Sequence, residues 1–242
     1  MLLHLVKYSS SFIMKKFIIN SLLIFVATSS FGADILLNQI FNKNNCDQIL
    51  RNKGYFTTCY SYKHKGAKYV AYRLDGTTVN AVNLKKRLRF HTDLNIPKQY
   101  ISEYKDYTRN SYDMDRGHLA PDAAFDYSQR SLKSAYTMSN IIPQHKTVNR
   151  SKKMWAGVER YARYMATSLN YVDVLNGVKY GKHPKRIGKN QIAVPEAFWK
   201  MVYNKSKGFK KCFYFENKKQ SADSIKDFVV DCKKVMKKKL IF

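Results

Sequence analysis

A chain of 242 residues, 45% of them hydrophobic, is long enough to bury one core and too apolar for an intrinsically disordered polymer or a collagen-like fibre. Its 44 Lys and Arg against 17 Asp and Glu leave a formal net charge of +27 along the whole chain, which points to polyanionic partners: nucleic acid, anionic lipid or polyphosphate. Four cysteines are too few for a scaffold built on disulfides, and no internal repeat or long Gly/Pro/Ser linker divides the chain, so one domain is expected.

The N-terminus reads as an address. From Met14 the chain runs MKKFIINSLLIFVATSSFGAD. Lys15 and Lys16 supply a positive start, Phe17 to Ala27 an apolar run broken only by Asn20 and Ser21, and Ser30 and Gly32 the small residues before a cut at Ala33. Residues 1–32 are therefore expected to be a secretory signal peptide, with Met14 a second candidate start, and residues 33–242 the mature domain. The expected destination is the periplasm or the medium. An uncleaved anchor is the rival reading, against which the apolar run is short for a membrane span. The cut removes Lys7, Lys15 and Lys16, so the charge falls by three, from +27 to +24. In an oxidising compartment Cys46, Cys59, Cys212 and Cys232 suggest two disulfides. Of three connectivities, the sequence-local pairs Cys46–Cys59 and Cys212–Cys232 are favoured, and no CxxC spacing supports zinc.

Further along, Lys68–Leu74 reads as a strand entering a turn at Asp75-Gly76, with Thr77–Val82 as its return. Residues 83–112 are polar and irregular, with Pro97 as a breaker. Tyr136–Ile142 reads as a strand that stops at Pro143. Trp155, Val158, Ala162, Met165 and Leu169 form one apolar stripe at helical spacing. Strands are predicted at Tyr171–Leu175, Gln191–Val194 and Cys212–Phe215, and a last helix from about Ser221 to Leu240, with Ile225, Phe228, Val229, Cys232, Val235 and Met236 on one face. Neighbouring strands without a βαβ rhythm predict an α+β fold, a single domain with a central antiparallel sheet flanked by helices.

The chemistry concentrates in DMDRGHLAPDAAF, residues 113–125. Arg116 offers a planar fork of donors for a phosphate, His118 a base matched to near-neutral pH, and Asp115 a carboxylate, with Gly117 letting the backbone turn. A second cluster holds Ser139-Asn140-Ile141-Ile142-Pro143-Gln144, then Asn149, Trp155 and Glu159. A neutral Asn oxygen suits a hard cation such as Mg²⁺, which keeps most of its waters. The bland alternative makes the two asparagines a turn residue and a helix cap, and Trp155 core.

Together, DRGH-x-AP, N-x-x-P-Q and the later Asn…Trp…Glu resemble the DNA/RNA non-specific endonucleases of the ββα-metal (His-Me finger) group, over roughly Tyr69 to Trp199. The resemblance implies a ββα site with one divalent ion, usually Mg²⁺ and often Mn²⁺. By motif, His118 is the general base, Asn149 the direct metal ligand and Arg116 a phosphate contact. Glu159 holds a water of the metal's shell and Asn140 positions water or phosphate. An upstream arginine, Arg87 in preference to Arg89, supports the transition state. One departure stands out: Asn149 to Trp155 is six residues, where about four are expected. The expected activity is hydrolysis of DNA and RNA without sequence preference, leaving 5′-phosphates. Two rivals remain: a non-catalytic basic nucleic-acid-binding protein of the cell envelope, and a cationic membrane-active protein using the last helix.

Overall fold

An interior strand of the sheet, Ala197–Asn204, has every residue buried, so it must be covered on both faces. The computed structural model describes residues 35–236. The expected signal peptide and the end of the expected last helix lie outside the described residues. In chain order the elements are α1 (Ile35–Ile40), β1 (Gln48–Leu50), β2 (Thr57–Ser61), β3 (Gly66–Asp75), β4 (Met114–His118), α2 (Gln129–Ala135), β5 (Ile141–His145), α3 (Lys146–Arg150), α4 (Trp155–Ser168), β6 (Tyr171–Lys179), β7 (Arg186–Ile187), β8 (Ile192–Ala193), β9 (Ala197–Asn204), β10 (Phe209–Glu216), β11 (Val229–Val230) and α5 (Cys232–Val235). Among the described residues seven strands form one antiparallel sheet in the order β1-β2-β3-β6-β9-β10-β11, while β4–β5 and β7–β8 are separate ribbons. This is the expected α+β architecture.

Alternation along the strands divides the core into two faces. Val70, Tyr72, Leu74, Val172, Val174, Phe198, Val202, Phe213 and Phe215 face one side, where Trp155, Val158, Ala162 and Ala166 of α4 pack on them. Ala71, Leu175, Trp199, Met201, Tyr203 and Cys212 face the other, covered in part by Ile40 of α1 and by Cys232 and Met236 at α5. The helical stripe read from the sequence is thus the buried stripe of α4, with Leu169 as its C-cap.

Three expected elements differ. Thr77–Val82 is no return strand: Asp75 accepts from the Thr77 backbone N–H and hydroxyl, the Val79 N–H bonds the Asp75 carbonyl, and these local bonds coil the chain into turns. The neighbours of β3 come instead from β2 and β6. The strand expected at Tyr136–Ile142 begins only at Ile141, after a 3-10 turn over Met138–Asn140, and runs through Pro143 to His145. A two-stranded ribbon is all edge, where proline is tolerated. The single last helix is instead a 3-10 turn at Ile225–Phe228, then β11, then α5. Ser224 and Asp227 form a capping box and Asp231 caps α5, while Phe228 stacks on Phe215 at 4.5 Å and Val229 stays exposed. No helix among the described residues is long and apolar enough to cross a membrane.

Both disulfides are the sequence-local ones, Cys46–Cys59 and Cys212–Cys232. Opening Cys212–Cys232 with Cys232→Ser is expected to cost about 3 kcal/mol, the loop-entropy value for a loop of this size. Urea unfolding at neutral pH measures it; an unchanged midpoint would show that the bridge adds nothing.

Candidate active site

The site is built on the β4–β5 ribbon, in which Asp115 faces Gln144 and His118 faces Ile141, and α3 follows β5 without a break. This is a ββα unit. Gly117 is a spatial requirement: a Cβ there would stand 2.2 Å from the Gln144 side chain. The two amide atoms of Gln144 and Nε2 of His118 are buried without a hydrogen-bond partner, so polar capacity is concentrated where the motif lies.

His118 packs its ring on Phe90 (5.3 Å) and edge-on to Tyr136 (5.2 Å). Burial pushes its pKa down to about 4; Asp122 opposes the shift and Arg87 reinforces it. The imidazole is therefore neutral at physiological pH, the state a base requires. Arg87 donates to the Leu84 carbonyl (3.1 Å) and to Asp126 (3.3 Å), and its Nε lies 3.5 Å from Asp122. Of the two upstream arginines, Arg87 is the one whose charge acts on His118. Tyr136 donates its hydroxyl to Asp122 (2.9 Å). Arg116 lies over the ring of Tyr104 at 4.0 Å and near Phe90 at 5.7 Å, a cation–π seat for a half-buried guanidinium.

Asn149 is the fourth residue of α3, the short helix ahead of α4. Its amide nitrogen donates to Asp115 (3.0 Å), and Arg150 grips the same carboxylate with bonds of 2.8 and 2.6 Å. Burial works to raise the Asp115 pKa, but the Arg150 and Asn149 bonds outweigh it and hold the carboxyl below its ordinary range. Because the amide nitrogen is tied to Asp115, the amide oxygen is left oriented as an acceptor. Among the described residues no three His, Cys, Asp or Glu side chains come together. A single amide oxygen beside the Asp115 carboxylate suits a hard ion that keeps most of its waters, so the donor set fits a cation of the Mg²⁺ kind.

The six-residue step to Trp155 is absorbed by a turn over residues 151–154 that separates α3 from α4. That turn packs back on the helix: a Cβ at Gly157 would meet the Lys152 carbonyl at 2.3 Å. Trp155 still reaches the motif, donating Nε1 to the His118 carbonyl at 3.1 Å. Glu159 follows one turn later. Burial raises its pKa, and the charge of Lys200 works against that rise. Lys200 is itself fully buried, bonded to Asn176 (2.5 Å) and Tyr72 (3.2 Å), and 4.2 Å from the Trp155 ring.

Asn140 does not do what the motif suggests. It is fully buried, its oxygen accepts from the Ala120 N–H (2.8 Å), and its nitrogen donates to the carbonyls of Ala120 (2.8 Å) and Ala135 (2.9 Å). No group remains for water or phosphate, and the residue instead clamps the loop that follows His118. Sequence reasoning passed over Asp122, Asp126, Tyr136 and Lys200. Only Asp122, four residues after His118 in the same motif, carried a signal that could have found it.

The family model for DNA/RNA non-specific endonuclease matches residues 34–239, and the chain belongs to that family. It is 27% identical over 169 residues to mitochondrial Endonuclease G of Bos taurus, covering 66% of this chain and 55% of that protein. It is 31% identical over 161 residues to mitochondrial Endonuclease G of Caenorhabditis elegans, covering 61% and 51%. The chain thus spans about half the length of these curated relatives. A crystal structure of the EndoG/EndoGI complex superposes with a TM-score of 0.65 at 25% identity, covering 75% of this chain and 79% of that chain.

Proposed function

We propose that the protein is an exported, metal-dependent endonuclease that hydrolyses phosphodiester bonds in DNA and RNA without sequence preference and leaves 5′-phosphates. The observation that carries this is a neutral histidine, His118, buried against Phe90 and Tyr136 within the electrostatic reach of Arg87 and Asp122, on the same strand whose Asp115 orients Asn149. His118 takes the proton from the attacking water. Arg116 and Arg87 bind the phosphate oxygens as negative charge grows on them. Asn149, with Glu159 nearby, would hold a divalent ion, which would supply Lewis-acid stabilisation of the charge that develops on the phosphate. Asp115 keeps the Asn149 oxygen aimed, and Trp155 fixes the backbone at His118. Export is supported by the N-terminal pattern and by two disulfides, which suit an oxidising compartment.

The test is purified residues 33–242 with supercoiled plasmid in Mg²⁺ and in EDTA. Metal-dependent degradation to short fragments that ligate only through 5′-phosphates supports the proposal. A folded protein that shifts DNA on a gel yet never cuts it in Mg²⁺ or Mn²⁺ would establish the binding-protein alternative. DNA binding is expected to weaken steeply with salt, since lysines and arginines release counterions. Anisotropy titrations at rising NaCl measure the slope, and a flat response would remove the electrostatic account.

The depressed His118 pKa also predicts a pH effect on stability. The unfolded chain binds this proton near 6.5 and the folded chain only near 4, so stability is intact above 6.5 and is lost as pH falls through that interval. The loss is up to about 1.4 kcal/mol per pH unit. Urea unfolding at pH 7.5 and 5 is expected to show a larger drop for the wild type than for His118→Ala; equal drops would mean the ring is not buried neutral.

A further inference from the structure

The face of the sheet turned away from His118 carries a row of aromatic residues in direct cross-strand register: Tyr69 on β3, Gly177 on β6, Trp199 on β9 and Tyr214 on β10. Residues directly opposite one another share a face, and three strand gaps span about 14 Å. Gly177 makes the row possible, because a Cβ there would stand 2.1 Å from the Trp199 indole. Trp199 is the buried floor, with Tyr69 edge-on at 6.3 Å; Tyr69 and Tyr214 are partly exposed beside it. Tyr180 stacks on His64 at 4.1 Å in the wall.

This row lines a groove of about 1270 Å³. Lys68, Lys179, Lys233 and Lys234 stand around it, and among the described residues lining it there is no Asp or Glu. Lys68 donates to the Asn45 carbonyl, and Lys179 sits 3.6 Å from Glu196 in an exposed pair that contributes little. Both disulfides serve the groove. Cys46–Cys59 ties the segment after α1, which supplies Asn42 and Asn45 to one wall, to β2. Cys212–Cys232 ties α5, which supplies Lys233 and Lys234 to the rim, to β10.

We propose that this groove is a second nucleic-acid site that holds single-stranded DNA or RNA, with bases against the tyrosines and phosphates on the lysines. Every base has a π-face, so aromatic rings among positive charges bind single strands without reading sequence. A rim of four lysines, with Glu196 paired to one of them, complements a polyanion and disfavours a second copy of this basic chain. The site needs no metal and goes beyond the cleavage reading, on which it does not depend. Its consequence is tethering: a long strand stays on the protein while its other part lies at the β4–β5 ribbon.

The experiment uses the His118→Ala protein in EDTA, so that nothing is cut, with a labelled oligothymidylate as the probe. Lys233→Glu with Lys234→Glu is expected to weaken binding about tenfold or more. The same charge change at the exposed Lys205 and Lys207 is expected to do less. Tyr214→Ala is expected to weaken binding about fivefold or more. Ultraviolet crosslinking of the probe to the His118→Ala protein, with its groove unaltered, is expected to label Tyr69, Tyr180 or Tyr214, which keeps the test intact if a groove variant fails to fold. In otherwise wild-type protein with Mg²⁺, the groove variants are expected to raise KM for long single strands and leave hydrolysis of a dinucleotide unchanged. Crosslinks confined to the β4–β5 face, equal losses in the Lys205/Lys207 control, or binding unchanged by all groove variants would overturn the proposal. So would a groove occupied by a second copy, seen as a dimer that the Lys233/Lys234 variant dissolves.

Discussion

His118→Ala is expected to lower the rate of plasmid cleavage by about 10²–10⁴-fold, the contribution of a positioned general base. The size follows from two features of the site. The imidazole is held neutral by burial, so nearly every molecule carries the base in its active form at pH 7. No neighbour can replace it: Asp122 is engaged by Tyr136 and Arg87, and Asp115 by Asn149 and Arg150. The fold should survive the change. His118 Nε2 has no hydrogen-bond partner to lose, its carbonyl bond to Trp155 is backbone, and only the ring contacts with Phe90 and Tyr136 disappear. Rates on supercoiled plasmid should therefore fall while the circular dichroism spectrum and gel shift stay as in the wild type. A purified variant that keeps more than about a tenth of the wild-type rate would put the proton transfer elsewhere.

Asn140→Ala is expected to have the opposite signature, a large loss of stability with the chemistry of the surviving folded molecules largely preserved. The substitution leaves the Ala120 N–H and the carbonyls of Ala120 and Ala135 without their partner inside the protein. Each buried unsatisfied group costs about 1–3 kcal/mol, so a total of about 3–5 kcal/mol is expected. Thermal or urea unfolding, with cleavage rates corrected for the folded fraction below the transition, separates the readings. An unchanged melting temperature with a hundredfold slower rate would restore Asn140 to water or phosphate positioning.

How much of this was legible without coordinates differs from element to element. The stripe of α4 was readable because a helix on a sheet buries one face, and 3.6-residue spacing records that face directly. The local disulfides were readable from spacing once export was assumed. Thr77–Val82 and the last helix were misread for one reason. A short polar or mixed segment has no periodicity strong enough to outvote side chains such as Asp75, Ser224 and Asp231, which satisfy nearby backbone groups and stop the regular element. Pro143 looked like a terminator and is a strand residue, because being in a two-stranded ribbon is a tertiary fact.

The site divides along the same line. DRGH with the later Asn and Glu named the family and the class of chemistry and nominated His118, Arg116 and Asn149 for it, since spacing within a hairpin and the helix after it is local. The sequence by itself also determined the α+β class, the large positive net charge and the buried stripe of the long helix. Only the tertiary structure decided that Arg87 is tied to Asp122 and Asp126, that Asn140 is a clamp, that Asp122 and Lys200 join the site, and that Tyr69, Trp199 and Tyr214 line one groove. The physical reason is sequence separation. A motif records neighbours along the chain, whereas a charge pair or a cross-strand row is set by segments brought together from well outside the motif, as far as β3 and β6, where pattern carries no register.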